Sequence, residues 1–284
     1  MRGVTSDNRQ QPASAAVLDT LEQYYDAVPR SSARVEDFGP LSLFVREGEG
    51  WPFYARPTPG VAGPVRADDV ARVLSRQREL GAPESFEWVA ETAPSLRAAA
   101  EACGLHVHAH PLMVLAPDAP TPQPVAHADV TVRVLGPEDP ALAAALAVPR
   151  LAFAEPGTRI GAAGPAELAE AALTAARDGS TERVADRIRT GLTRVAVAIA
   201  AGTALCSGMH QPVGGVTEIV GVGTLPAARR RGLAHAVTAA LVADARARGA
   251  RTVFLSAGDE DVARVYARLG FRPVGTALIA EPAA

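Results

Sequence analysis

Residues 221–236 read GVGTLPAARRRGLAHA, and this run constrains the fold more than any other part of the chain. An apolar, glycine-bearing strand turns through Pro226 and three arginines and opens a helix at Gly232, which commits the region to an α/β unit. Backbone N–H groups at a helix start lack intrahelical acceptors, and the helix dipole is positive there, so an anion is held readily. Gly232 removes the side chain where a phosphate has to approach closely. Arg229, Arg230 and Arg231 add planar donor forks suited to phosphate oxygens, and the expected guest is a pyrophosphate.

The elements around this run follow a definite order. Residues 217–224 read as a strand, 232–248 as a helix closed by Gly249, 251–256 as a strand, 259–269 as a helix and 271–279 as a strand. In that setting the motif resembles the cofactor signature of the GCN5-related N-acetyltransferases: Gln or Arg, two residues, Gly, one residue, then Gly or Ala. Arg229, Gly232 and Ala234 fill it, and VYARLGF at 265–271 is similar to the same family. The resemblance implies an α/β fold with the mixed sheet of acyl-CoA N-acyltransferases, acetyl-CoA as cofactor with CoA as product, and an amine acceptor. It implies cofactor contacts from Val222, Gly223, Thr224, Arg229, Arg230, Arg231, Gly232, Leu233, Ala234 and Asp259.

Acetyl transfer from a thioester to an amine needs a neutral amine, a polarised carbonyl and a proton for the departing thiolate. Glu218 lies eleven residues before Arg229 and resembles the general base of the histone-acetylating branch; a solvated strand-edge carboxylate is the other reading. For the carbonyl, Gly221 and Gly223 fit a bulged strand that the pantetheine arm approaches, with the main chain of Val222 and Thr224 pairing with it. Tyr266, four residues before Gly270, stands where the family places its proton donor, and a phenol of reference pKa about 10 suits that task. Relatives often carry asparagine where this chain has Asp259, which can accept a hydrogen bond from the cofactor arm or cap a helix but cannot donate when ionised.

The chain has 284 residues, 48% of them apolar, enough for two packed domains. A net charge of −3 and the absence of a basic stripe speak against a nucleic-acid partner. Every basic residue is arginine, and the two cysteines, Cys103 and Cys206, form no CxxC pair, so a cytoplasmic protein is expected. No run has the length of a membrane span or the pattern of a signal peptide. Residues 1–16 read as a disordered lead-in and 117–128, rich in proline, as an extended linker.

That leaves 17–116 and 129–284 as domains. In the first, 68–80, 85–90, 94–103 and 105–115 read helix, strand, helix, strand, echoing the second half of the other, with strand material at 41–55. ACGLHVHAHPLMVL lays over RLGFRPVGTALIA with Gly104 on Gly270, yet the first copy has GPVRADDV where an arginine–glycine loop would stand. A tandem pair with a degenerate N-terminal copy is expected, and an unrelated α+β domain is the alternative.

The second domain is expected to run strand 130–135, helix 138–147, helices 165–177 and 181–190, then strands 195–202 and 203–210. The resemblance implies that the loop at 150–164 borders the acceptor; a mobile lid and an ordinary surface loop are both open readings of it. His106, His108 and His110 share a strand face without acidic or cysteine partners at matching spacing, so no metal is expected. His210 reads as a turn residue near the acceptor and His235 as a surface residue of the phosphate-loop helix. The function expected is direct N-acetyl transfer from acetyl-CoA to a small-molecule amine. The alternatives are a protein N-terminal or lysine acetyltransferase, a catalytically silent acyl-CoA-binding module, and a tandem enzyme of the mycothiol synthase kind. By analogy with relatives, a homodimer is possible.

Overall fold

The computed structural model describes residues 10–123 and 129–283. The chain divides into two compact units, Met1–Leu112 with Pro273–Ala284, and Met113–Arg272.

The first unit begins with α1 (Gln10–Ala27), in which Leu18, Leu21 and Tyr25 recur at helical spacing and are buried. Residues 10–16, expected as part of a disordered lead-in, are therefore helical, because their alanines extend the turn that the buried leucines anchor; residues 1–9 lie outside the described residues. Strands β1 (Ala33–Asp37), β2 (Leu41–Arg46) and β3 (Ala55–Pro57) form an antiparallel meander. From β3 the chain passes through α2 (Ala67–Glu79) to β4 (Phe86–Val89), which pairs parallel with β3 at Ala55↔Phe86. Helix α3 (Pro94–Ala102) and strand β5 (Leu105–Leu115) follow. The core gathers Leu41, Leu43, Val70, Val73, Phe86, Trp88 and Leu96.

The second unit contains β6 (Thr131–Val134), α4 (Leu142–Ala154), α5 (Pro165–Arg177), α6 (Ser180–Arg189), β7 (Arg194–Ala200), β8 (Thr203–Val213) and β9 (Val216–Thr224). It continues with α7 (Leu233–Ala247), β10 (Thr252–Ser256) and α8 (Glu260–Ala267). Its strand order is β10-β9-β8-β7-β6, antiparallel except for β10 beside β9. One large core packs α4 and α7 on these strands, with Leu146, Val197, Ile219, Val237, Leu241 and Val253 among its members.

The last strand, β11 (Phe271–Pro282), pairs antiparallel with β4 over Ala277↔Val89 to Ala280↔Phe86. Leu278 and Ala280 bury in the first unit's core, so this strand, expected inside a domain running 129–284, gives residues 273–284 to the first unit. The proline-rich segment is pinned where it is described: Arg246 of α7 donates to Ala116 O at 3.0 Å, Ala119 O at 2.6 Å and Thr121 Oγ1 at 3.0 Å. Residues 124–128 of that expected linker lie outside the described residues.

Helix α4 is longer than its sequence pattern implies, because it continues through Pro149. A proline there removes the N–H that would bond the carbonyl four residues back. The Ser207 hydroxyl from β8 donates to that carbonyl, Ala145 O, and so replaces the missing donor. Residues 150–154, expected as loop, are the last turn of this helix.

Candidate active site

Strand β9 carries the site. Its parallel pairing with β10 covers only Val216↔Thr252, Thr217↔Val253 and Glu218↔Phe254. Beyond Glu218 the two strands diverge, and the β9 main chain on that side has no strand partner among the described residues. Glu218 therefore marks the point of divergence, opposite Gln211 on β8.

Three residues further on, the β8–β9 ladder slips. Ser207 pairs with Gly223 and Met209 with Val220, so Gly221 and Val222 together face Gly208. Gly221 has φ +62, the left-handed value that favours glycine at the first position of a bulge. A Cβ on Gly208 would stand 2.8 Å from Val222 Cγ2 and 3.3 Å from Leu241 Cδ1, so the space over Gly208 is filled by these side chains. Gly223 is small for another reason: a Cβ there would meet Pro149 Cα at 2.8 Å and Ala152 Cβ at 2.9 Å, so α4 occupies that space. The Thr224 hydroxyl donates to Cys206 Sγ at 3.3 Å.

After β9 a short 3₁₀ turn, Pro226–Ala228, leads to the arginines. Arg230 has φ +67 and Gly232 φ +74. A left-handed arginine is uncommon and costs about 1 kcal/mol or more, a strain that clusters at ligand clamps. Alternation of left-handed residues turns successive N–H groups toward one concavity. The N–H groups of Arg230, Arg231, Gly232, Leu233, Ala234 and His235 all lack a backbone acceptor among the described residues, and the first intrahelical bond is Ala236 N to Gly232 O at 3.2 Å. No acidic residue stands in the first turn of α7. Arg230, Arg231 and Gly232 are exposed, and Arg231 makes one surface contact with Asp129 at 3.2 Å. These N–H groups take their acceptors from outside the helix.

Arg229 is arranged differently from its two neighbours. It is buried, and its guanidinium donates to Ala152 O at 2.8 Å, Glu155 O at 2.6 Å and Arg159 O at 3.0 Å. Its fork is spent on carbonyls at the end of α4 and the segment after it, which corrects the expectation that all three arginine side chains face phosphate. Asp259 likewise has an internal task as N-cap of α8, accepting from Val262 N at 2.8 Å.

Tyr266 sits on α8, 7% exposed, edge-on to Phe271 with ring centroids 6.1 Å apart. Burial and then the proximity of Cys206 push its phenol above the ordinary value, so it stays protonated. Cys206 is fully buried and its thiol is pushed up by burial to about 12, which leaves no thiolate for nucleophilic attack.

Two histidines depart from their expected settings. His210 is wholly buried inside β8, with Nδ1 2.9 Å from Thr217 Oγ1 and Nε2 3.0 Å from Asp244 Oδ2. Arg248 and Arg194 reach the same carboxylate at 2.8 and 3.5 Å. Burial works to raise the Asp244 pKa, but the hydrogen bonds from His210 and Arg248 and the charge of Arg194 outweigh it and hold it at about 2. His235 is half-buried with an enclosed, unpartnered Nδ1, and burial, then Arg268, lower its pKa. Neither was readable from the sequence, because both depend on which elements pack beside them. His106 and His108 are exposed, and no group of three or more potential metal ligands occurs among the described residues.

The splayed strand, its bulge and the bare helix start follow one another along residues 216–236. Residues 168–271 match the family model described as Acetyltransferase (GNAT) family. The fold extends the likeness over most of the chain. A GCN5-related N-acetyltransferase from Kribbella flavida is 23% identical, with a TM-score of 0.66, over 94% of this chain and 96% of that one. A GCN5-related N-acetyltransferase from Sphaerobacter thermophilus is 18% identical with a TM-score of 0.51, covering 87% and 82% of the two chains. A tandem GNAT protein from the clavulanic acid biosynthesis pathway is 18% identical with a TM-score of 0.54, covering 84% and 77%. No curated protein matches the chain. Among the described residues no helix is long and apolar enough to cross a membrane.

Proposed function

We propose that this protein transfers an acetyl group from acetyl-CoA directly to the amine of a small molecule. The observation that carries this reading is the run of six N–H groups from Arg230 to His235 without a backbone acceptor among the described residues, the first two on exposed arginines, following a bulged, splayed strand. Acyl-CoA bound there supplies the thioester; Arg230, Arg231 and the main chain through Ala234 hold its phosphates. The β9 main chain from Val222 to Thr224 offers groups to the pantetheine arm and to the oxygen that gains charge. Tyr266 supplies the thiolate proton, favoured by a phenol that stays protonated. Glu218, at the divergence of β9 and β10, takes the ammonium proton.

Direct transfer is favoured over a covalent intermediate because Cys206 is buried and protonated. Asp259 is left out of the cofactor contacts in this reading, since its carboxylate caps α8. We further infer that the first unit is a degenerate copy, because β3–α2–β4 repeats the strand–helix–parallel-strand order of β9–α7–β10.

The test is calorimetric titration of the full chain with acetyl-CoA, native and Arg230→Ala/Arg231→Ala. Saturable binding that weakens about tenfold or more in the double variant supports the reading. No binding by the native chain would sink it. Binding without thiol release across an amine screen would favour the silent acyl-CoA module instead.

A further inference from the structure

The turn that leads into the bare helix start is laced to another part of the second unit. Gly161 N donates to Pro226 O at 3.1 Å and Ala227 N to Ala163 O at 3.0 Å, while Arg229 donates to Ala152 O, Glu155 O and Arg159 O. Within that segment the Glu155 carboxylate accepts from Ala163 N at 2.8 Å and Ala162 N at 3.0 Å. Those two backbone donors, Ala163 first, hold its carboxyl below the usual range. The fit is close: a Cβ on Gly161 would stand 2.2 Å from Glu155 Oε2 and 2.9 Å from Pro226 Cβ.

We propose that Arg229 and Glu155 are positioning residues that transmit occupancy of the phosphate loop to the segment 155–164. The strained Arg230 follows directly on Arg229, with Gly232 two residues further on, so an anion seated on the N–H groups of 230–235 fixes the end of a turn whose other end is bonded to that segment. The carbonyls that Arg229 gathers include Ala152 O, at the end of α4, which has no intrahelical donor to satisfy it and which a cation there stabilises. The segment so held carries Ile160, 66% exposed, with Phe153, 61% exposed, at the end of α4, so the surface being positioned is apolar. This rests on the acyl-CoA reading of the loop. It adds that the loop is the anchor of a second wall, ordered when the donor is bound.

Hydrogen–deuterium exchange at Gly161, Ala162 and Ala163 in the full chain, with and without saturating acetyl-CoA, tests this beside calorimetry. In the native chain acetyl-CoA is expected to slow exchange there by about tenfold. In Glu155→Ala, acetyl-CoA is expected to bind within about threefold of the native Kd while that slowing disappears. Arg229→Lys, which keeps a donor without the fork, is expected to retain part of it. Native binding with unchanged exchange overturns the coupling and leaves the function standing. So does a Glu155→Ala chain in which exchange rises equally with and without acetyl-CoA, since a merely structural lacing gives an unchanged ratio. Failure of the native chain to bind acetyl-CoA overturns both.

Discussion

Two helices of this chain start in the same topological place, between parallel strands, and end up with opposite electrostatics. At α2 the Asp69 carboxylate accepts from Arg66 N at 2.9 Å, Asp68 stands beside it, and the N-cap residue Arg66 is extended at φ −110. The Arg66 amide lowers the Asp69 pKa first, and Arg72 adds to this despite the cost of partial burial. At α7 the N-cap is Gly232 at φ +74, the first turn has no carboxylate, and Ala234 and His235 stand where α2 has Asp68 and Asp69. One helix start has satisfied itself with its own anions, and the other waits for one. A bare start leaves N–H groups whose partners must come from outside the helix, so it is kept only where a ligand or another segment provides them.

The largest effect should come from making α7 resemble α2. Ala234→Asp/His235→Asp places two carboxylates in its first turn, and acetyl-CoA affinity is expected to fall by about a hundredfold or more, read by calorimetry. Unchanged affinity would break the comparison. Next, Tyr266→Phe keeps the packing against Phe271 and removes the proton; kcat for acetyl transfer should fall by about a hundredfold with acetyl-CoA affinity kept. A kcat within about threefold of native would remove Tyr266 from the chemistry.

Asp244→Asn tests whether α7 is held from its other end. The native carboxyl lies at about 2 against an ordinary 3.8, so its contribution to stability is complete above about pH 4 and is lost as pH falls through about 2. Acid titration of the variant should show lower stability at neutral pH and a shallower loss between those values, with the two curves converging at the acid end. The smallest effect belongs to Asp68→Ala/Asp69→Ala, expected to lower stability by about 1 kcal/mol in denaturant melts and to leave acetyl-CoA binding untouched. A loss of binding there would mean that the first unit takes part in cofactor capture.

Much of the second unit was legible. The strand at 217–224, the helix opening at Gly232, the strand at 251–256 and the glycine-marked bulge all follow from local pattern, and each is present within a residue or two. What escaped the sequence has a common cause. Arg229 reads as a phosphate ligand beside two that fit the part, yet carbonyls seventy or more residues away take its fork. Helix α4 passes through a proline because Ser207, on a strand still to come, donates to the freed carbonyl. His210 reads as a turn residue because the hairpin reads short, whereas β8 continues past it to Val213 and buries it against Asp244.

The sequence by itself determined the element order, the αL-permissive glycines at 221 and 232, and a helix start free of carboxylates, because these depend on spacing and on residue chemistry a few positions apart. Only the tertiary structure decided which arginines face outward, which strand the last residues join, and which histidine is buried. Those outcomes turn on donors, acceptors and volumes supplied by distant segments, and a buried guanidinium or imidazole goes where its hydrogen bonds can be completed.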